Sequence, residues 1–251
     1  MFFVFAAPAV ILLGLAKGGF AGLGVVAVPL MALAVPPVEA AAILLPILIV
    51  QDVVSVWAYR RSWDRRILAV MLPSAALGIF GGYALAAFVR SEAVELAVGA
   101  VAVVFGLQRL WLERRGAVVA DARPEGRLPW RGVVAGAAAG FTSQIAHAGG
   151  PPFQMYVLPR RLERDSFIGT SAIFFATVNW MKVPAYAALG QFTPGSLTAA
   201  ALLLPLAIAS TFAGVALVRR VPAEGFYRVI YILLVAVGAK LAWDGASGLV
   251  G

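Results

Sequence analysis

Four ionisable side chains stand well inside otherwise apolar stretches of this sequence: Lys17, Asp52, His147 and Lys182. A charge at membrane depth is costly, so each is a functional candidate by default. Lys17 and Lys182 offer positive charge to an anion or to an ion pair, and for Lys17 the plain alternative is snorkelling to the outer surface. Asp52, beside Gln51, carries a proton or neutralises one of the two lysines. His147, the only histidine, suits proton coupling because imidazole titrates near neutral pH, although a single buried histidine also serves simply as a hydrogen-bond donor. Around these groups stand the uncharged polar residues Thr142, Ser143, Gln144 and Asn179. Glycines 18, 19, 22 and 24 follow Lys17 in the run Lys17-Gly18-Gly19-Phe20-Ala21-Gly22-Leu23-Gly24. Where a helix breaks, the next helix begins with unpaired N–H groups, and glycine lets an anion come close to them. The run is no nucleotide motif, because its spacing is G-x-x-G-x-G, no strand precedes it and no Walker lysine follows.

The elements that must position these residues are membrane helices. Hydrophobic residues make up 62% of the chain, charged residues 13%, and mean hydropathy is +0.92, well outside the composition of soluble domains. The apolar residues fall into runs of roughly 18 to 23, long enough to cross a hydrocarbon core as helices. A β-barrel is excluded, since its strands alternate apolar and polar residues. The formal charge of +8 resides in short clusters between apolar runs, a pattern that reports topology and no nucleic-acid partner. No cysteine is present, which removes disulfides, thiolate metal sites and thiol nucleophiles. Met1 to Leu15 resembles a signal-peptide core but lacks a basic leader and runs into Lys17-Gly18-Gly19-Phe20, so it is expected in the mature protein.

Six runs predict ordinary spanning helices: Val38 to Tyr59, Ile67 to Val89, Ala93 to Leu112, Phe167 to Leu189, Leu197 to Val218 and Phe226 to Trp243. Residues 2–35 are too long for one crossing and too short for two. Residues 129–158 repeat the problem, interrupted at Gly140-Phe141-Thr142-Ser143-Gln144 and Gly149-Gly150-Pro151-Pro152. Each reads as two half-helices joined by irregular backbone, which at membrane depth must be buried in protein or line a cavity. The halves are also alike: residues 72–85 and 204–217 share seven identities in fourteen positions without a gap. In the same register Gly106 pairs with Gly238 and Trp111 with Trp243. At other offsets Gly19-Phe20 pairs with Gly140-Phe141, and Asp52 with Asn179.

The predicted organisation is therefore all-α, with a first transmembrane repeat over 1–112, a polar cytoplasmic linker over 113–128 and a second repeat over 129–251. Arginines cluster at 60, 61, 65 and 66, at 114, 115, 123 and 127, at 160, 161 and 164, and at 219 and 220. All four clusters fall on the cytoplasmic side only if each broken element is a re-entrant hairpin. Each repeat then crosses three times, the two repeats are inverted, and both termini lie outside.

The pattern Gly14-Leu-Ala-Lys17-Gly18-Gly19-Phe20-Ala-Gly22-Leu-Gly24 followed by Pro29-Leu30, the Leu45-Pro46…Asp52 helix and the Gly140-Phe141 break resemble the sulfite exporter TauE/SafE family, also called toluene-sulfonate uptake permeases. The resemblance implies an inner-membrane transporter of a small sulfur-containing or organic anion such as sulfite, taurine or sulfoacetate. The second break departs from the first, with Ser143, Gln144 and His147 where the first has glycines. On this reading Lys17, Gly18, Gly19, Phe20, Gly22, Thr142, Ser143, Gln144, Asn179 and Lys182 bind the anion. Gln51, Asp52 and His147 pair charge or couple protons. No metal or cofactor is expected, and no ATP-binding motif supplies energy. The expected partners are the anion and the lipid bilayer, with a homodimer left open as the assembly. Two other classes compete. A membrane-embedded enzyme needs a nucleophile with its base or a metal set, which one histidine and no cysteine do not supply; a non-transporting subunit would make both breaks merely structural.

Overall fold

Backbone groups in hydrocarbon must be paired within their own segment, which favours helices throughout a membrane chain. The computed structural model describes residues 2–20, 23–31, 34–85, 90–114, 129–218, 220 and 223–250, and among them there is no strand. The first half comprises α1 (Phe2–Gly18), a 3-10 turn (Leu23–Val26), α2 (Ala27–Met31), α3 (Pro37–Tyr59), α4 (Arg65–Leu85) and α5 (Ser91–Arg114). The second comprises α6 (Pro129–Ala146), α7 (Gly150–Val157), a 3-10 turn (Leu158–Arg160), α8 (Arg164–Ala188), α9 (Pro194–Val218) and α10 (Ala223–Val250). Three of these segments, Val38–Tyr59, Arg65–Leu85 and Pro194–Val218, are long and apolar enough to cross a membrane by length and composition. The six runs read from the sequence coincide with α3, α4, α5, α8, α9 and α10 to within a few residues, except that α10 continues to Val250. Residues 115–128 of the linker, together with Arg219 and Gly22, lie outside the described residues.

Both broken elements are present, and they stop by different devices. At the end of α1, Gly19 adopts φ +141°. The Gly19 N–H bonds the Ala16 carbonyl at 3.2 Å and the Phe20 N–H bonds that of Leu15 at 3.1 Å, the paired closure of a glycine-terminated helix. In the second half α6 runs straight through Gly140-Phe141, where the sequence suggested an interruption, and stops six residues later. Gly140 serves packing there: a Cβ on it would overlap the Ala75 carbonyl of α4. The stop itself is His147, a non-glycine residue at φ +51°, a conformation that persists only when its surroundings impose it.

Helix pairs follow the small residues. Gly14 and Gly18 of α1 meet Ser210 and Gly214 of α9, while Gly78 of α4 meets Ala137 of α6, whose Gly136 and Gly140 meet Ser74 and Ala75. Gly99 of α5 meets Gly238 and Ala242 of α10. Without a hydrophobic force between helices in lipid, such close approach supplies the packing. Exchanging the halves carries α1 to α6, α3 to α8, α4 to α9 and α5 to α10. The α1–α9 pairing then becomes the α6–α4 pairing, and α3–α8 and α5–α10 map onto themselves.

Gly140→Val lowers stability by about 1–3 kcal/mol through overpacking, whereas Gly81→Val, with nothing within 4 Å of its Cβ position, does not. Thermal unfolding of the two variants in detergent separates the cases.

Candidate functional site

A helix that ends inside a membrane protein leaves its last carbonyls without partners. Those of α1 are taken up by α3: the Ser55 hydroxyl donates to the Lys17 carbonyl, and the Tyr59 hydroxyl donates to the Gly18 carbonyl at 2.9 Å. Those of α6 are taken up by α8: the Lys182 ammonium donates to the Ser143 carbonyl at 3.2 Å, and the Tyr186 hydroxyl to the Gln144 carbonyl at 3.4 Å. Ser55 and Tyr59 stand 127 residues before Lys182 and Tyr186, the same spacing that separates Asp52 from Asn179. One three-residue set, Asp52-Ser55-Tyr59 or Asn179-Lys182-Tyr186, thus caps each broken helix from the helix that crosses it.

Asp52 and Asn179 meet where the two sets touch. The Asn179 amide donates to Oδ2 of Asp52 at 2.7 Å, and the Lys17 ammonium forms an ion pair with Oδ1. Asp52 is 2% exposed and Lys17 12%. Lys17 sits in the last turn of α1, where the carbonyl end of the helix favours a cation. Its Nζ also lies 5.5 Å from the centre of the Phe175 ring, within cation–π range.

The second break carries its own polar group. Nε2 of His147 lies 3.0 Å from the Ala41 carbonyl on α3, and Nδ1 lies 2.6 Å from the Lys182 ammonium. A carbonyl only accepts, so Nε2 bears a proton. Nδ1 and the lysine nitrogen share the second bond, whose middle can hold one proton and no more. Both bonds, with the His147 N–H to Ser143 carbonyl bond at 3.2 Å, hold the unusual backbone in place.

A cavity with about 90 Å³ of room for the centre of a water molecule lies between these groups. Of the residues marked by the sequence, Lys17, Gly19, Gly24, Ser143, His147, Gly150 and Asn179 line it. The other described ones do not. Lys182 is fully buried and caps α6, so its charge acts at a distance from the cavity wall. Asp52 neutralises Lys17 from behind. Gln51 ties the Val10 and Ala207 carbonyls of α1 and α9 together, each at 3.4 Å. Thr142 donates to the Ala138 and Ala148 carbonyls at 2.8 and 3.0 Å, and so serves the end of α6. The backbone of Gly18 packs on Gly214, Phe20 belongs to the apolar core, and the Gln144 side chain lies against Gly82. Trp180, next to Asn179 in sequence, faces away from the site and is 59% exposed.

The anion donors expected at the start of the second half-helix are few. Pro151 and Pro152 remove two N–H groups from the first turn of α7, and the Phe153 N–H already bonds the Gly149 carbonyl at 3.3 Å. Side chains supply what the backbone does not. Three of them escaped the sequence reading: Gln154, Ser171 and Phe175 all line the cavity. Gln154 is 1% exposed and its side-chain oxygen has no hydrogen-bond partner. Ser171 and Phe175 fall with Phe167 and Asn179 on a four-residue stripe of α8, a spacing visible in the sequence once α8 is known to be helical.

The helices and this interior polar site define an all-helical membrane protein with a small cavity built around broken helices. Its sequence places it more narrowly: the model of the sulfite exporter TauE/SafE family matches residues 6–241, and the chain belongs to that family. No curated protein and no solved structure matches the chain.

Breaking a buried ion pair on one side costs about 3–5 kcal/mol because a charge is left unpaired. Lys17→Met therefore destabilises strongly, and adding Asp52→Asn restores most of the loss. A double-mutant cycle on unfolding in detergent measures the coupling.

Proposed function

We propose that this chain is a secondary transporter that carries a small sulfur-containing anion, sulfite or a short sulfonate, across the inner membrane by alternating access. The observation that carries the reading is the cationic, donor-rich cavity at the broken helices. Lys17 presents ammonium hydrogens not used by Asp52, and Asn179, Ser143, Ser171 and Gln154 present amides and hydroxyls. An anion on the cavity wall meets the Lys17 ammonium as its charge partner.

The family description gives export of sulfite as the direction and cargo. The two broken elements serve as re-entrant hairpins. In support, Tyr156 of α7 lies against Gly132 near the start of α6, and Gly24, past the first break, lies against Leu13 and Ala16 of α1. The matching helix pairings and the 127-residue correspondence of the capping sets support two repeats. With three crossings each, the repeats are inverted, over 1–112 and 129–251, and both termini lie outside. One repeat then rocks against the other around a fixed site. The driving force is an ion gradient or the anion gradient itself.

Three outcomes are expected. Labelled sulfite exchanges in proteoliposomes of the wild type, and Lys17→Met/Asp52→Asn, which keeps its fold, binds none. Gln154→Leu and Ser171→Ala each weaken sulfite binding roughly 10- to 100-fold, the worth of one hydrogen bond to a charged group; intrinsic tryptophan fluorescence reads the affinity. Wild-type binding by the double variant overturns the assignment of the site. Single cysteines at positions 115 and 160 react with an impermeant reagent from the same face, and reaction from opposite faces removes the hairpin and the inversion.

A further inference from the structure

The cavity uses the two crossing helices unequally. From α8 it takes Phe167, Ile168, Ser171, Ala172, Phe175 and Asn179; from α3 it takes Leu48 alone. At the 127-residue spacing, the α8 set corresponds to Ala40, Ala41, Leu44, Leu45, Leu48 and Asp52 of α3. Those positions are at most 5% exposed. Leu48 and Phe175 are the one pair that corresponds across the halves and lines the cavity from both helices. The cavity follows α8 from Asn179 toward Phe167, three residues from Arg164, and so lies toward the arginine-bearing end of that helix.

Two contacts hold the α3 face shut. The His147 ring, on the second break, reaches the Ala41 carbonyl at 3.0 Å. The Tyr186 ring packs in one apolar cluster with Ala41 and Leu45, flanked by Ile49, Val183 and Phe192. The corresponding trio of the other half is Tyr59, Ile168 and Ala172, of which Ile168 and Ala172 stand in the wall of the cavity. The same structural position is thus open in one half and closed in the other.

From this asymmetry, we infer that Ala41, Leu44 and Leu45 of α3 form a second anion-contacting surface, the wall of the passage that leads from the Lys17–Asn179 site to the opposite face of the membrane. The inference rests on the transporter reading above. When the halves exchange conformations, the second break and Tyr186 withdraw from α3, the His147–Ala41 bond opens, and Ser171 and Ala172 become enclosed as Leu44 and Leu45 are now. The new wall is apolar, in contrast to the Ser171 side. An anion on this route keeps its charge partner at Lys17 and finds no second site along α3 at which to stall.

The chain contains no cysteine, so single cysteines report without background. Ala172→Cys, Ala41→Cys and Leu45→Cys are made separately, reconstituted in oriented vesicles that exchange sulfite, and treated with an anionic thiosulfonate reagent added to one side at a time. Ala172→Cys, on the open wall of the cavity, reacts from the arginine-rich face. Ala41→Cys and Leu45→Cys react from the opposite face. At sulfite about ten times its Kd, modification at all three falls roughly tenfold, following the unoccupied fraction. Failure of both α3 cysteines to react from either side, or their reaction from the Ala172 side, overturns the second passage. Protection of Ala172→Cys by sulfite tests the anion site separately, so the passage can fail while the site stands. Loss of protection at Ala172→Cys sinks the site and the passage with it.

Discussion

The ion pair between Lys17 and Asp52, with Asn179 on the other carboxylate oxygen, is the constraint around which the rest is arranged. Neither charge is stable alone at such depth. Lys17 stands on the last turn of a helix that stops inside the protein, Asp52 in the body of a helix that does not. Pairing them fixes the end of α1 against α3 and, through Asn179, α3 against α8. Because Asn179 is the counterpart of Asp52 in the other half, the bond between them joins the halves at a place where each contributes the same position.

Around that contact the two halves solve the same problem with different chemistry. Each broken helix leaves two carbonyls to satisfy, and each crossing helix answers with side chains three and seven residues past the central polar residue. In the first half a serine and a tyrosine suffice, and the lysine sits on the broken helix. In the second the serine is on the broken helix and the lysine does the capping. One lysine consequently faces the cavity and the other is wholly enclosed, with its ammonium held by Ser143 and His147. The cavity wall thus carries one lysine nitrogen, and the other is used up in holding the end of α6.

The two stops differ in the same spirit. Glycine at position 19 takes its backbone conformation without strain and needs no side-chain support. His147 holds a conformation that costs a side-chain-bearing residue of order 1–3 kcal/mol, and three hydrogen bonds offset it. Both stops are tied to α3, the first through Ser55, Tyr59 and Asp52 and the second through Ala41; only the second depends on such contacts to hold a side-chain-bearing residue at positive φ.

Much of this was legible beforehand. Hydropathy alone determined the helical, membrane-embedded class and the six long helices, because in lipid the backbone has no other partner than itself. Burial cost singled out Lys17, Asp52, His147 and Lys182, and the glycine after Lys17 marked the first stop. Tertiary structure decided which polar groups face the cavity and which hold it up, since a side chain's direction depends on neighbours far along the chain. It placed the second stop at His147, because Gly140 is used to bring α6 against α4. It placed Lys182, expected as a ligand, at the end of α6 behind the cavity wall, and it brought Gln154 and Ser171 to the wall, where only the tertiary arrangement of α7 and α8 could reveal them.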